Sequence, residues 1–499
     1  MKRLLLPIAA IAMIVASCKK DIRNQEDGMS AESASNATLA VITLPQVITA
    51  NTTLTTGNTY LLNGKVYVTN GAKLTIQKGV RIEGIYKKGP NTTPEDGARE
   101  ASALIITRNA SIDCLGGQSG PDNAVVFTSN LDSKRDSLGN PSAVREPGDW
   151  GGVVVLGNGV TNKPSTQTIE GINPADVPAG VDVTYGNGTN TSQSIGRIYY
   201  TRIEYAGAAI APNNELNSLT FGAATSTSTC RFVQCSKGAD DAFEFFGGNI
   251  NCFFLIANSQ NDDAFDFDFG FRGIIQFAVS VRGSAFAYAD ANAIESDNDN
   301  VGGCATPNTQ ATLTNLTIVG GSSALPGTLN GARFRRQSGL ILRNSIIMGY
   351  SKGISFESVN PSTIPLAARN NAIHAFTDSA TFTGTACNGA AISSTWGPNN
   401  LRLIGAIPPA NPNVNAWVNN PIPASLSAYK SGALAYKVGG PLDPATGLQP
   451  DYVGLSANVI RSADINYVGA IGQGGYVSAL KPGNWIAGSA ATWVNFDPL

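Results

Sequence analysis

The sequence predicts an all-β protein, a right-handed parallel β-helix solenoid with an irregular C-terminal cap. Helical periodicity is nearly absent, whereas short runs of Val, Ile, Phe, Thr and Tyr recur between Gly, Asn, Asp and Ser. The segment Asp240–Phe245 also returns 22 residues later as Asp262–Phe267, and a period of about 20 to 30 residues is typical of stacked coils. A solenoid accommodates a mature chain of about 480 residues in one body, because length adds coils and leaves the core radius unchanged.

The chain begins with a secretory signal. Lys2 and Arg3 precede an apolar run that ends at Val15, and this run is shorter than the roughly 20 residues that a membrane-spanning helix needs. Val15-Ala16-Ser17-Cys18 resembles the bacterial lipobox, in which the cysteine becomes the lipidated first residue of the mature protein. We therefore predict a lipoprotein signal peptide over 1–17 and lipidation at Cys18. The alternative is an ordinary signal peptide followed by an incidental cysteine.

Composition divides the mature chain into three parts. The residues after Cys18 are polar and nearly free of bulky apolar side chains, so they cannot bury enough surface to fold, and we predict a flexible tether over 18–42. The β-helix is predicted over 43–390. The stretch 391–499 is rich in Pro, Asn and Trp at irregular spacing. It is predicted to be a cap that packs on the solenoid, since exposed strand edges pair with other chains.

The recurring apolar runs predict strands along the whole β-helix. Examples are Lys65-Val66-Tyr67-Val68, Lys73-Leu74-Thr75-Ile76, Gly152-Val153-Val154-Val155-Leu156 and Leu313-Thr314-Asn315-Leu316-Thr317-Ile318-Val319. A β-sandwich would show hairpins at tight Asn-Gly turns, of which Asn70-Gly71 is a candidate, and a propeller would repeat about every 40 to 45 residues. The 22-residue repeat fits neither architecture.

Several segments carry a resemblance to a known family. The run Thr59–Ile82 looks like the opening coils of a family of secreted Bacteroidetes β-helix proteins, and Asp149–Gly157, Arg202–Gly207 and Tyr467–Phe496 are similar to later signatures of that family. The similarity spans nearly the whole mature chain and implies a pectate-lyase-like right-handed β-helix. The family is functionally uncharacterised, so the resemblance implies a fold and no reaction.

The residues around Cys18 bear on localisation. Ser17-Cys18-Lys19-Lys20-Asp21 resembles the junctions of Bacteroidetes lipoproteins, where charged residues after the cysteine favour transport to the outer face. The resemblance implies a protein held to the outer membrane by its lipid anchor alone, on the periplasmic or the surface side, with the surface side favoured.

Six cysteines besides Cys18 would enter an oxidising space, so up to three disulfides can form. Cys304 and Cys387 lie in polar, loop-like surroundings and are the favoured pair. The others are either buried small hydrophobes or paired: Cys114, Cys230, Cys235 and Cys252. A zinc site would need clustered ligands, and the single histidine, His374, is predicted to be a core or loop residue.

Net charge bears on the partners of the chain. The formal charge is −2, which supplies no field for steering toward nucleic acid and no basic patch for anionic lipid. We therefore expect no nucleic-acid partner. The oligomeric state is left open.

The 22-residue repeat predicts an acidic ladder on the outside of the solenoid. Strand side chains alternate, so Phe265 and Phe267 share the inner face while Asp266 and Asp268 point outward. One coil of offset places Glu244 beside Asp266 and Asp240 beside Asp262, about 5 Å apart. Like charges in this position destabilise a sheet, so a cation, nearby basic residues or raised pKa values must offset the repulsion.

Calcium suits all-oxygen ligands of this kind. The predicted calcium ligands are Asp240, Glu244, Asp262, Asp266 and Asp268. The alternative is an exposed acidic strip screened by solvent or by basic residues, in which the paired aspartates only cap turns through backbone hydrogen bonds. Those basic residues are Lys237, Arg272 and Arg282, and those aspartates are Asp240, Asp241, Asp262 and Asp263.

A basic strand follows the acidic repeats. In Gly331–Arg336, the side chains of Arg333 and Arg335 share a face. Such a run is either solvated surface or, if it lies beside the acidic ladder, a site for sugar acids or phosphates, because arginine binds oxyanions in a bidentate way.

Three functions fit these features. The favoured one is a non-catalytic surface module that binds a glycan or another envelope component, with calcium assisting. A structural or adhesive role differs from it only in the partner. The third is a polysaccharide lyase or glycoside hydrolase acting on uronic-acid polymers, for which the candidate catalytic residues are Asp263, Asp266, Asp268, Arg272 and Arg335. A ladder that repeats the same groups favours binding, because catalysis needs one unique constellation.

Overall fold

The computed structural model describes thirteen stretches of the chain and two single residues. These are 40–86, 101–118, 123–131, 145–188, 192–211, 214–282, 291–320, 330–339, 341–359, 368–392, 400–405, 451, 454–461, 485 and 493–495. The predicted signal peptide, Cys18 and nearly all of the predicted tether lie outside this part. No helix within these stretches combines the length and apolar character needed to cross a membrane.

Thirty strands dominate the described chain. They are β1 (Val41–Thr43), β2 (Val47–Ile48), β3 (Thr52–Leu54), β4 (Thr59–Leu62), β5 (Lys65–Val68), β6 (Lys73–Gln77), β7 (Arg81–Gly84), β8 (Ala103–Ile106), β9 (Ser111–Leu115), β10 (Val125–Ser129), β11 (Gly152–Leu156), β12 (Gln167–Thr168), β13 (Thr184–Tyr185), β14 (Gly196–Glu204), β15 (Ala209–Ala211), β16 (Asn214–Glu215), β17 (Leu219–Gly222), β18 (Thr229–Ser236), β19 (Phe243–Phe246), β20 (Asn251–Asn258), β21 (Phe265–Asp268), β22 (Ile274–Val281), β23 (Ile294–Ser296), β24 (Thr312–Val319), β25 (Asn330–Phe334), β26 (Ile341–Arg343), β27 (Ile346–Glu357), β28 (Ala368–Arg369), β29 (Ala372–Thr383) and β30 (Leu401–Ile404). A short 3-10 helix covers Pro174–Asp176.

Parallel pairing links 26 of these strands into three walls. Sheet 1 follows the order β1-β4-β7-β10-β14-β18-β20-β22-β24-β27-β29-β30. Sheet 2 follows β2-β5-β8-β11-β17-β19-β21-β23-β25-β27-β29. Sheet 3 follows β3-β6-β9-β14-β18-β20-β22-β24-β26-β28. Each coil thus adds one strand segment to each wall, and the predicted parallel β-helix is confirmed, in an arrangement consistent with the right-handed form.

The corner between sheets 3 and 1 lies inside long strands. β14, β18, β20 and β22 pass through it at residues with positive φ, namely Tyr200, Phe232, Phe254 and Phe277, here called the aromatic ladder. Aromatic residues rarely adopt this conformation. Their rings stack from coil to coil, with centroids 4.5 Å apart for the first two pairs and 5.1 Å apart for the last, so contacts between coils offset a local backbone cost.

The interior is a continuous apolar column. Phe243 stacks on Phe265 and Phe245 on Phe267, with ring centroids 5.5 and 5.2 Å apart. All four rings are fully buried. The 22-residue repeat thus brings equivalent phenylalanines into register, as the sequence predicts.

An insert at 157–188 covers one end of the outer face of sheet 2. It contains the antiparallel pair β12–β13 and packs its apolar side chains on the outward residues of the early coils. The members of this cluster include Tyr67, Ile105, Val154, Leu156, Ile169, Ile172, Val183 and Tyr185. The later strands of sheet 2 carry polar residues on the same face.

The cysteines divide as the sequence suggests. Cys304 and Cys387 form a disulfide, which confirms the favoured pair. The other four described cysteines are buried free thiols. Cys230 and Cys252 are neighbours in the register of β18 and β20.

Candidate functional site

The middle of the outer face of sheet 2 carries the acidic ladder. Glu244 pairs in register with Asp266, which pairs with Glu295, which pairs with Arg333. The phenylalanines on either side of Glu244 and of Asp266 point into the core. The predicted adjacency of Glu244 and Asp266 is therefore confirmed, and the ladder continues into the basic strand.

A second ladder runs along the corner that precedes these strands. The backbone N–H of Asp241 donates to Asn217 Oδ1 at 3.0 Å, and the N–H of Asp263 donates to Asp241 Oδ1 at 2.8 Å. The N–H of Asn292 donates in turn to Asp263 Oδ1. Each side-chain oxygen thus caps the equivalent residue of the next coil, as the capping alternative expects for Asp241 and Asp263.

Carboxylates from both ladders converge. The ligand atoms of Asp240, Asp241 and Asp262 lie within 4.8 Å of one another, and so do those of Asp241, Glu244 and Asp266. Four of the five predicted ligands therefore meet in two triads that share Asp241. We call the five residues of the two triads the acidic face: Asp240, Asp241, Glu244, Asp262 and Asp266.

Two placements differ from the predicted ligand set. Asp241 was not among the predicted ligands, although the repeated Asp-Asp pair at 240–241 and 262–263 is a signal that could have found it. Asp268 belongs to neither triad, and its Oδ1 accepts the N–H of Phe269 at 2.6 Å.

Burial and mutual repulsion raise the pKa values of four carboxyl groups of the acidic face, those of Asp240, Asp241, Glu244 and Asp266. For Glu244, desolvation is the largest cause, followed by the charges of Glu170 and Asp266. For Asp240, desolvation comes first and the charge of Asp262 second. Asp241 and Glu244 expose only 7% and 5% of their surface. Protons or a cation must therefore neutralise part of the acidic face.

One carboxylate oxygen of Asp266 has no hydrogen-bond donor among the described residues. Its Oδ1 is buried and accepts no hydrogen bond within the part of the chain that the structure describes. Desolvation raises its pKa, the charges of Glu295 and Asp297 raise it further, and Arg335 opposes them. An oxygen in this state can accept a proton or coordinate a cation.

The insert contributes a further carboxyl group. Asn217 donates through Nδ2 to Glu244 Oε2 and lies 3.4 Å from Glu170 Oε1. Glu170 as a residue is exposed to solvent, but desolvation of its carboxyl group, with the charge of Glu215 adding to it, raises its pKa to about 7. Sequence reasoning missed Glu170, because no repeat marks it and only the fold of the insert brings it here.

The basic strand closes the other end of the acidic ladder. Arg335 forms ion pairs with Glu295 and, through Nε at 2.8 Å, with Asp297. Arg333 binds Glu357 at 3.0 Å through two nitrogens. Burial lowers the pKa of Arg335, but the charges of Glu295 and Asp297 raise it by more, so the net shift is upward. The arginines do lie beside the acidic ladder, and both are held by carboxylates of the chain itself.

Arg272 and His374, two other residues singled out in the sequence, lie outside the acidic face. Arg272 donates to Asn308 and Gln310, neither of which belongs to the acidic face. His374 is buried; its Nδ1 accepts the N–H of Gly349 at 3.2 Å, and burial lowers its pKa. His374 is thus a core residue, as predicted.

Comparison with known proteins yields one family. A family model described as "Pectate-lyase like beta helix domain" matches residues 46–392. Neither the curated proteins nor the solved structures give a match.

Proposed function

Because this chain belongs to the pectate-lyase-like β-helix family, we propose that it is a lipid-anchored cell-envelope protein that binds a glycan or another envelope component without cleaving it. The binding surface is the outer wall of sheet 2. Calcium, held by Asp240, Asp241, Glu244, Asp262 and Asp266, assists the binding. Cys18 carries the lipid, and the outer membrane is the site of anchoring.

The observation that carries this proposal is the pair of carboxylate triads within 4.8 Å. Like charges so close are stable only with protons or a cation between them. Calcium takes six to eight oxygen ligands in flexible geometry, and the two triads with the unpaired Asp266 Oδ1 supply oxygens from several coils. A glycan bearing hydroxyl or carboxylate oxygens would complete the coordination shell.

The arginines favour binding over catalysis. A base in a lyase-type reaction has to accept a proton, and the pKa of Arg335 is raised by Glu295 and Asp297, so this guanidinium stays charged. Arg272 is bonded to a different group of residues. The predicted catalytic set is therefore only partly assembled.

A glycan screen tests this function. The mature protein is presented to neutral and acidic glycans with calcium or with EDTA, and both retention and chain length of the glycan are measured. We expect calcium-dependent retention of intact glycan by the wild type, weaker retention by Asp266→Asn and unchanged retention by Asp378→Asn, an exposed acid on β29. Equal retention in EDTA would overturn the calcium part of the proposal.

A polysaccharide lyase or hydrolase remains the second candidate. Glu170 favours it, because a carboxyl group whose pKa is about 7 is suited to general acid–base work at neutral pH. Shortening of a uronic-acid polymer by the wild type, abolished in Glu170→Gln and in Asp266→Asn, would establish this activity and refute non-catalytic binding.

A further inference from the structure

The corner between sheets 3 and 1 is contacted by residues from the C-terminal part of the chain. Three side-chain amides stand along this corner, Gln234 on β18, Gln276 on β22 and Asn344 directly after β26. All three side chains are fully buried. Each one hydrogen-bonds to the backbone of a residue more than 100 positions further toward the C-terminus.

Each side-chain amide forms two hydrogen bonds with the backbone of one residue: its NH2 group donates to the carbonyl, and its oxygen accepts the N–H. Gln276 Nε2 donates to Ile460 O at 3.0 Å, and Ile460 N donates to Gln276 Oε1 at 2.8 Å. Asn344 pairs in the same way with Asp451, at 3.1 and 2.7 Å. Gln234 pairs with Asn495, at 2.5 and 3.0 Å. We call each of these a clasp.

Two tryptophans of the C-terminal part pack on the aromatic ladder. The ring of Trp493 meets Tyr200 and Phe232 edge-on, with centroids 5.9 and 6.0 Å away. Trp485 meets Phe254 edge-on at 5.3 Å. Arg202 adds a hydrogen bond to the carbonyl of Trp493 at 3.0 Å. The contacts therefore combine aromatic anchors with main-chain recognition.

The order of contacts fixes the direction of the bound chain. Asp451 meets the coil of β26, Ile460 that of β22, Trp485 that of β20 and Asn495 that of β18. These residues advance toward the N-terminal end of the solenoid. The described contacts therefore lie in reverse order to the coils.

We propose that this corner is a docking groove that recognises a peptide through its main chain, and that the described C-terminal residues of the same chain, at 451, 454–461, 485 and 493–495, occupy it. The clasps bind the backbone N–H and C=O groups of the occupant, and the side chain of Asp451 adds an ion pair with Arg369 at 2.7 Å. The aromatic ladder selects tryptophan. Without an occupant, three buried amides would lose partners, at a cost for each unsatisfied group.

Hydrogen exchange on the full-length protein tests the clasps. In Gln276→Met, which keeps the side-chain volume and removes the amide, we expect exchange at the Ile460 N–H to accelerate at least tenfold while the strands of the solenoid keep their protection. Gln260→Met is the matched control, because Gln260 is also a buried amide but binds Gly238 N within the solenoid. Unchanged exchange at Ile460 in Gln276→Met, or equal loss in both variants, would overturn the proposal.

A peptide-binding measurement tests the groove independently of that variant. A labelled peptide covering 483–499 is added to the full-length wild type and to Trp485→Ala/Trp493→Ala, whose own segment lacks its anchors. We expect the peptide to bind the double variant and not the wild type, where the tethered segment competes at high effective concentration. Absence of binding to the double variant would overturn the groove. The acidic face plays no part in this result, so it is separate from the proposed glycan function.

Discussion

At the scale of single residues, Asp241 has two roles. Its Oδ1 caps Asp263 N at 2.8 Å, and its carboxylate belongs to both triads of the acidic face. Asp263 has only the first role, because it caps Asn292 and belongs to neither triad. A backbone cap needs an oxygen and a cation site needs charge, so substitutions by asparagine separate the two roles.

Asp266→Asn removes a charge from the acidic face. We expect the calcium-free variant to melt a few degrees above the wild type, since one like charge is lost, a gain of about 1 kcal/mol. Its melting temperature should no longer rise with calcium. Asp263→Asn keeps an accepting oxygen, so its calcium response should match the wild type. An Asp263→Asn variant that loses the response while Asp266→Asn keeps it would show that the ligand assignment is wrong.

The raised pKa values predict how stability depends on pH. The folded chain holds protons over a range where the unfolded chain has released them, so the free energy of unfolding falls as pH rises. The range begins near pH 4, the usual pKa of these acids, and extends to about 7, where Glu170 and Glu295 titrate. Urea unfolding in EDTA should show lower stability at pH 8 than at pH 5, and calcium should reduce the difference. Stability that rises over this range would contradict the account.

The sequence predicts those parts of the site that the coil repeat places, and it does not predict the rest. The offset of 22 residues predicts that Glu244 and Asp266 are neighbours, because parallel strands in successive coils stack equivalent positions. Asp268 has the same parity, but its Oδ1 accepts the backbone N–H of Phe269. Glu170 comes from an insert with no repeat, so its approach to Glu244 depends on tertiary packing that no local pattern encodes.

At the scale of elements, stacked aromatic rings connect consecutive coils. The inner stack joins Phe245 to Phe267 and also to Phe221, at 5.2 and 5.4 Å. The strand pattern predicts this inner stack. It does not predict the aromatic ladder at the corner, because positive φ at Phe232 and Phe254 opposes the local preference of these residues and follows from contacts between coils.

Phe245→Ala tests the inner stack. The side chain is fully buried between rings of neighbouring coils, so its truncation leaves a cavity and should cost about 3 to 5 kcal/mol. Denaturant unfolding measures the loss. Phe269→Ala offers a comparison, since Phe269 lies outside the core on the outer side of sheet 2 and is only partly buried, and it should cost less. Equal losses would mean that the inner stack has no special role.

At the scale of the whole molecule, the disulfide links positions that are 83 residues apart. Closing a loop of this length restricts the unfolded chain, and a native disulfide typically contributes about 2 to 4 kcal/mol. We expect Cys304→Ser/Cys387→Ser to lower the free energy of unfolding by that amount. Reduction of the wild type by dithiothreitol should have the same effect. A double variant as stable as the oxidised wild type would exclude this role.

The architecture as a whole follows from the composition and the repeat. Low charge, short β-rich runs and one period predict the solenoid. The division into three walls, and the segments that cover each wall, are seen only in the fold. The insert covers the early coils of sheet 2, and Asp451, Ile460 and Asn495 contact the corner of sheets 3 and 1. Both arrangements join distant parts of the sequence, so no local pattern predicts them.

The central claim is that the acidic face binds calcium, and isothermal titration calorimetry of the metal-free mature protein at pH 7.5 measures this directly. We expect saturable calcium binding by the wild type, at least tenfold weaker binding by Asp266→Asn and wild-type affinity in Asp378→Asn. Absence of binding by the wild type, or equal binding by all three proteins, would contradict the claim.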